Sequence, residues 1–363
     1  MKPRINKMLL ALTLGSSLFT HAAFGGGEAG SLDLRDFGSK FVAYTTDPQD
    51  NGTLNVLNPM FVQYLLPAQR EHRYPIVFIH GGGGQGTDWM ETPDGRDGWV
   101  DYFVADGWDV YVIDRPGHGR SQSNPGCAAD VMSVGGYANT GIISFLSTSD
   151  SNVWPGGEPT PTNDAVVGWA ASSATAPYCG NEIAATAISA LLDEIGPAIL
   201  IAHSAGGGST FLVPDKNADN IVGIIAFEAA GGNPVSTQGG LGGQSVPPAM
   251  SNWQTSPALA ANFSPVMQNG CPMQGSNPSQ LVNFQNFPLT LVVSERGLGG
   301  GSDQAVNCMA AAWQQAGVDA TAVYMPDRGL RGGGHFAMAQ LDTADYAELF
   351  IELAADIESS STK

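Results

Sequence analysis

A chain of 363 residues with 43% hydrophobic and only 13% charged residues is long and apolar enough to bury a substantial core, which excludes a disordered protein. Its 34 acidic against 15 basic residues give a formal charge of −19, a surface that repels nucleic acid and anionic membranes and suits neutral or cationic substrates. The 47 glycines predict extensive loop structure.

In chain order, the first element is a predicted signal peptide, residues 1–23. "MKPRINK" is a basic n-region, "MLLALTLGSSLFT" a short apolar h-region, and "THAAFGGG" supplies small residues for cleavage near Ala22 or Ala23. The apolar run is too short to span a bilayer comfortably, and no Cys lies beside the cleavage point, so neither a membrane anchor nor a lipoprotein is expected. Secretion to the medium or the periplasm follows as an expectation, with residues 24–363 forming a single domain. Loss of Lys2, Arg4 and Lys7 makes the mature chain still more acidic.

Residues 31–66 are expected to supply two or three leading antiparallel strands. Six apolar runs follow: "YPIVFIH" (74–80), "WDVYVID" (108–114), "PAILIAHS" (197–204), "IVGIIAFE" (221–228), "PLTLVVSE" (288–295) and "DATAVYMP" (319–326). Near-continuous apolar strands mean burial on both faces, hence a mostly parallel sheet between helices. Helical patterns lie among them at 98–107, 181–196, 304–317 and 342–358. This is α/β alternation. Two polar, irregular insertions, about 121–178 and 233–287, read as cap or pocket walls. Cys127, Cys179, Cys271 and Cys308 suggest two disulfides in an exported chain. Of three connectivities, pairing neighbours is the expected one: Cys127 with Cys179, and Cys271 with Cys308. The spacings do not resemble a zinc site, and no metal is expected.

The strongest chemical signal is "ILIAHSAGGGS". An apolar strand ends at His203, Ser204 follows, and small residues open a helix. Ala202-His203-Ser204-Ala205-Gly206 matches G-x-S-x-G with Ala in the first position; small residues two before and two after the Ser suit a sharp, crowded strand-to-helix turn. A Ser that merely caps the helix is the bland alternative. A hydroxyl nucleophile needs a base in reach. Of the six His, His335 in "RGLRGGGHFAMAQ" falls after the last strand and before the last helix, the place of the base in this chain order. Oxyanion donors would be the backbone N–H of Ala205 and one from the loop "FIHGGGGQG", Gly82 first and Gly83 second. No Lys-Ser/Thr follows those glycines, which argues against a phosphate loop. For the acid, three residues remain open: Glu228, ending the strand after the nucleophile helix, and Glu295 or Asp303 after the next strand.

"HGGGGQGTDWMETPDGRDGWVDYFVADGWDVYVIDRPGHGRS", "AHSAG", "FEAAGG" and "RGGGHFAMAQ" together resemble the small "novel bacterial esterase" family of exported α/β hydrolases. The segment W-x-x-T-P-D-G-R-x-G-W, Trp89 to Trp99, is the most specific piece, because the wider superfamily lacks it. The resemblance covers most of 74–356 and is weakest in the insertions. It implies the α/β-hydrolase fold, Ser204 as nucleophile, His335 as base and Glu228 as acid, since that family takes its acid from a Glu after the sixth strand. The run of four glycines departs from the family, which carries bulkier residues in that loop.

The expected activity is therefore hydrolysis of a carboxylic ester, small or polymeric, through an acyl-enzyme, without cofactor. Lactone, amide or carbon–carbon bond hydrolysis on the same triad, or an inactive binding protein of this fold, are the alternatives. A homodimer is the commonest assembly for such a chain.

Overall fold

Each predicted apolar run becomes a strand because both of its faces are covered. In β5 (Ile76–Ile79), Ile76 and Phe78 enter one core while Val77 and Ile79 enter another on the opposite face. The same two-residue alternation divides β7 (Ala198–His203) and β8 (Ile221–Phe227). The computed structural model describes residues 30–121, 153–160, 162–172, 179–237, 248–297 and 301–361.

The central sheet has eight strands. β1 (Leu34–Val42) and β4 (Met60–Pro67) run antiparallel at one edge, and β4 pairs antiparallel with β6 (Val110–Asp114). From β6 onward, β5, β7, β8, β13 (Leu289–Val293) and β14 (Ala320–Tyr324) are parallel. The spatial order is β1-β4-β6-β5-β7-β8-β13-β14. Neighbouring parallel strands bring their C-terminal ends to one edge, so loops far apart in sequence meet there.

Helices cover both faces. On one side lie α3 (Asn181–Ile195), with an Ala-rich face around Ile188 and Leu191, and α5 (Asp303–Gln315), with Trp313. On the other lie α1 (Trp99–Ala105) and α6 (Thr343–Ser360), whose Tyr346, Phe350, Leu353 and Ile357 repeat at helical spacing. Helix α5 is capped by Ser302, whose Oγ accepts the Ala305 N–H.

The leading segment departs from expectation. Besides β1 and β4 it holds a separate exposed hairpin, β2 (Thr45–Pro48) with β3 (Leu54–Leu57). Polar "TTDP" hides β2, and β3, "LNVL", is only four residues long and leaves Leu54 and Val56 exposed. The second insertion is also more ordered than expected. Within it, β9 (Thr255–Ser256) pairs with β12 (Gln280–Leu281), and β10 (Val266–Gln268) with β11 (Cys271–Met273). Cys271 and Cys308 form the expected disulfide, tying β11 to α5. Cys127 lies outside the described residues, as does most of the first insertion; a helix, α2 (Asp164–Ser172), is described within it. No helix among the described residues is long and apolar enough to cross a membrane.

Strand β8 meets α6 so closely that a Cβ at Gly223 would lie 2.5 Å from Ile357 Cγ2. Gly223→Ala should therefore cost about 1–3 kcal/mol through overpacking, seen as a lower urea midpoint, and should cost less in an Ile357→Ala background, which lacks Cγ2.

Candidate active site

Ser204 stands where β7 turns into α4 (Gly206–Thr210). Its φ is +50°, in the left-handed region that side-chain-bearing residues rarely adopt. The turn is possible because its neighbours are small. A Cβ at Gly206 would meet the His80 carbonyl oxygen at 2.5 Å, and one at Gly207 would meet Ala229 Cβ at 2.6 Å. Ala202, fully buried beside Ile79 and Ala226, fits where the usual pattern has Gly. The Ser204 N–H donates to the Phe227 carbonyl and the Ala230 N–H donates to the Ser204 carbonyl, which lashes the elbow to the exit of β8.

That exit carries Glu228, also at positive φ, +45°. Two of the five non-glycine residues with positive φ among those described are thus Ser204 and Glu228, on adjacent strand ends. Strain of this kind persists where the surroundings over-determine it. His335 lies between them: its Nδ1 is 2.6 Å from Glu228 Oε2 and its Nε2 is 2.9 Å from Ser204 Oγ. A carboxylate can only accept, so Nδ1 carries the proton and the Nε2 lone pair faces the hydroxyl. The Glu228 side chain is wholly buried and that of His335 nearly so.

A buried carboxylate must have its lone pairs filled. Glu228 Oε1 accepts from Ser294 twice, from the backbone N–H at 3.0 Å and from the hydroxyl. A Cβ at Gly297 would lie 1.5 Å from Oε1, so the β13 exit must be glycine there. The other two acid candidates are elsewhere. Glu295 accepts the Gly332 N–H at 2.7 Å and lies 3.6 Å from Arg331, steadying the loop that leads to His335; Asp303 opens α5 and bonds Asn307. Ser294 was not legible as a site residue, though it sits beside Glu295 at a strand end where an acid was sought.

The remaining described histidines make other bonds. His203 Nε2 donates to the His335 carbonyl at 2.9 Å, and burial keeps its pKa well below the ordinary value. Its ring stacks on Phe227 and lies 4.4 Å from the His335 ring. His80 is buried between the Arg115 N–H and the Gly81 carbonyl, with His118 beside it. His72 stacks on Trp108 and bonds Glu358 and Asp106, far from Ser204 in the sheet. No cluster of described residues could hold a metal ion.

The Trp89–Trp99 segment braces this site from below. Trp89 and Trp99 pack together, Trp99 contacts Phe227, and Trp89 meets His203 edge-on. Arg96 donates to Asp94, whose carboxylate it holds below the usual range despite partial burial, and to the Gln340 and Leu341 carbonyls just past His335.

The Gly-rich loop runs beside the elbow. A Cβ at Gly81 would lie 3.0 Å from Ser204 Cβ, and one at Gly82 would lie 3.2 Å from Ala205 Cβ. Gly83 has φ +68°, in the left-handed region that favours glycine. A Cβ at Gly84 would lie 2.0 Å from Asp88 Oδ2. Asp88 is buried, and desolvation, with the Asp114 charge adding to it, outweighs the Gln85 hydrogen bond and the Arg115 charge, pushing its pKa up to about 8.

Asp88 therefore folds protonated at neutral pH. Its folded pKa lies above an unfolded value of about 4, so its contribution to stability is full below about pH 4 and is lost as pH rises to about 8. Asp88→Asn, isosteric with the acid form, should remove that slope. Urea midpoints at graded pH should show the variant's advantage growing up to about pH 8 and then levelling; parallel curves would mean that Asp88 is ionised in the fold.

A family model described as alpha/beta hydrolase fold matches residues 74–253. A protein from Fungal sp. named "Probable secreted lipase phiG" is 29% identical over 343 residues, covering 87% of this chain and 90% of its own. The solved structure of a novel bacterial esterase aligns with 92% of this chain and 99% of its own, at a TM-score of 0.65 and 20% identity. With the sheet order and the elbow at Ser204, these matches show that the chain has the α/β-hydrolase fold.

Proposed function

We propose that the protein is an exported serine hydrolase that cleaves carboxylic esters through an acyl-enzyme. One observation carries the reading: an unbroken hydrogen-bonded chain from Ser204 Oγ through both nitrogens of His335 to a buried Glu228. The hydroxyl of Ser204 attacks the ester carbonyl while His335 Nε2 takes its proton. His335 then protonates the departing alcohol and later activates water against the acyl-enzyme. Glu228 fixes the imidazole tautomer and stabilises the imidazolium that forms in each half-reaction. The N–H groups of Ala205 and Gly82 receive the oxyanion, with Gly82 favoured over Gly83 because it is the glycine that abuts Ala205.

Export is supported by the basic and apolar N-terminal segment, by the Cys271–Cys308 disulfide, and by the likeness to a protein named a secreted lipase. The triad needs no cofactor for this chemistry. The acidic surface suits an uncharged ester better than an anionic one.

A fluorophosphonate probe should label the wild-type protein and fail to label Ser204→Ala; an unlabelled wild type would sink the reading. On p-nitrophenyl esters, Glu228→Gln should lower kcat by about 10⁴-fold, and Glu295→Gln should stay within a few-fold of wild type. A crippled Glu295→Gln would reassign the acid. Gly297→Ala should cost about 100-fold by displacing the Glu228 carboxylate, with an unchanged far-UV spectrum.

A further inference from the structure

We propose that Arg115 and His80 are positioning residues that hold the oxyanion-binding peptide of the Gly-rich loop in its receptive orientation. The proposal rests on the serine-hydrolase reading above and names how that site is kept preorganised.

The carbonyl oxygen of Gly81 accepts two hydrogen bonds, from Arg115 Nη2 at 2.8 Å and from His80 Nδ1 at 2.8 Å. The roles of the His80 ring follow from its other partner. The Arg115 backbone N–H can only donate, and it points at His80 Nε2 at 3.0 Å, so Nε2 accepts and Nδ1 holds the proton. Both residues are almost completely buried. Burial, and then the Arg115 charge, keep the His80 pKa well below the ordinary value, which preserves the neutral ring that this double role needs.

A peptide unit is planar and trans, so its C=O and the following N–H point in opposite directions. Holding the Gly81 carbonyl on the side of Arg115 and His80 therefore directs the Gly82 N–H to the other side. The Gly81–Gly82 unit lies along Ser204 and Ala205. Four consecutive glycines give this loop unusual freedom to flip that peptide. A flipped unit would present a carbonyl oxygen to the negative charge that develops on the substrate, and the donor would be lost. The two bonds to one carbonyl select the receptive state before substrate arrives, the preorganisation on which oxyanion stabilisation depends. Asp88 against Gly84 limits the far end of the same loop.

The test compares wild type with Arg115→Met and Arg115→Lys, using p-nitrophenyl butyrate, an alkyl boronic acid as tetrahedral probe, and fluorophosphonate labelling. Arg115→Met should lower kcat on the order of 100-fold, with KM within about threefold. Boronate affinity should fall by the same factor as kcat/KM, whereas a role in folding alone would leave that correlation absent. R115K, which restores one donor, should recover part of both. If Arg115→Met does not fold, R115K decides: kcat and boronate affinity reduced together support the proposal, and wild-type values overturn it. Folded variants with wild-type kcat, or with kcat lost at unchanged boronate affinity, also overturn it. These failures are distinct from failure of the hydrolase reading, which would appear as an unlabelled wild type.

Discussion

A single buried carboxylate organises the C-terminal edge of this sheet. Glu228 has no exposed side-chain surface, and an ion in that position is tolerated only with its oxygens occupied. One oxygen holds the imidazole of His335; the other is filled by the backbone and hydroxyl of Ser294. Each partner constrains an element. β13 must lie beside β8 for Ser294 to reach, Gly297 must lack a side chain, and the chain must leave β8 through positive φ to turn the carboxylate inward. The mostly parallel arrangement of the sheet is what sets those strand ends side by side.

Around that centre, rigidity comes from apolar stacking on one side and polar clamps on the other. His203, Phe227, Trp89 and Trp99 form an aromatic floor that continues into α6 through Phe350. Above it, the Gly-rich loop has almost no side chains of its own, and its conformation is imposed from outside by Arg115, His80 and Asp88. Asp114 anchors the next turn, accepting the Gly86 N–H and the Arg120 guanidinium. A loop built of glycine can approach Ser204 closely, and the residues behind it supply the order that glycine lacks.

The sequence made some of this legible and left the rest hidden for definite reasons. Apolar runs buried on both faces announced the parallel strands, and the small residues around Ser204 announced a tight elbow. His335 followed from chain order. Glu228 did not stand apart from Glu295 on local pattern, because both end apolar strands; only the resemblance to a family separated them, and the hydrogen bonds place Glu228 on the imidazole. Ser294 and Gly297 were invisible because a serine and a glycine at a strand exit are common, and their meaning depends on a neighbour 66 residues away in sequence. The β2–β3 hairpin escaped notice because β2 is polar and β3 is only four residues long.

The long-range bonds around His335 also bear on how the molecule comes to be. The His335 loop is tied to Arg96 through the carbonyls of Gln340 and Leu341, and to His203 through the His335 carbonyl, across separations of 244, 245 and 132 residues. Contacts between segments so distant form only after much chain entropy has been spent closing the intervening loops. Strands and helices can be in place before these ties close, so native-like secondary structure precedes a competent site. That ordering makes this edge of the sheet a late product of folding.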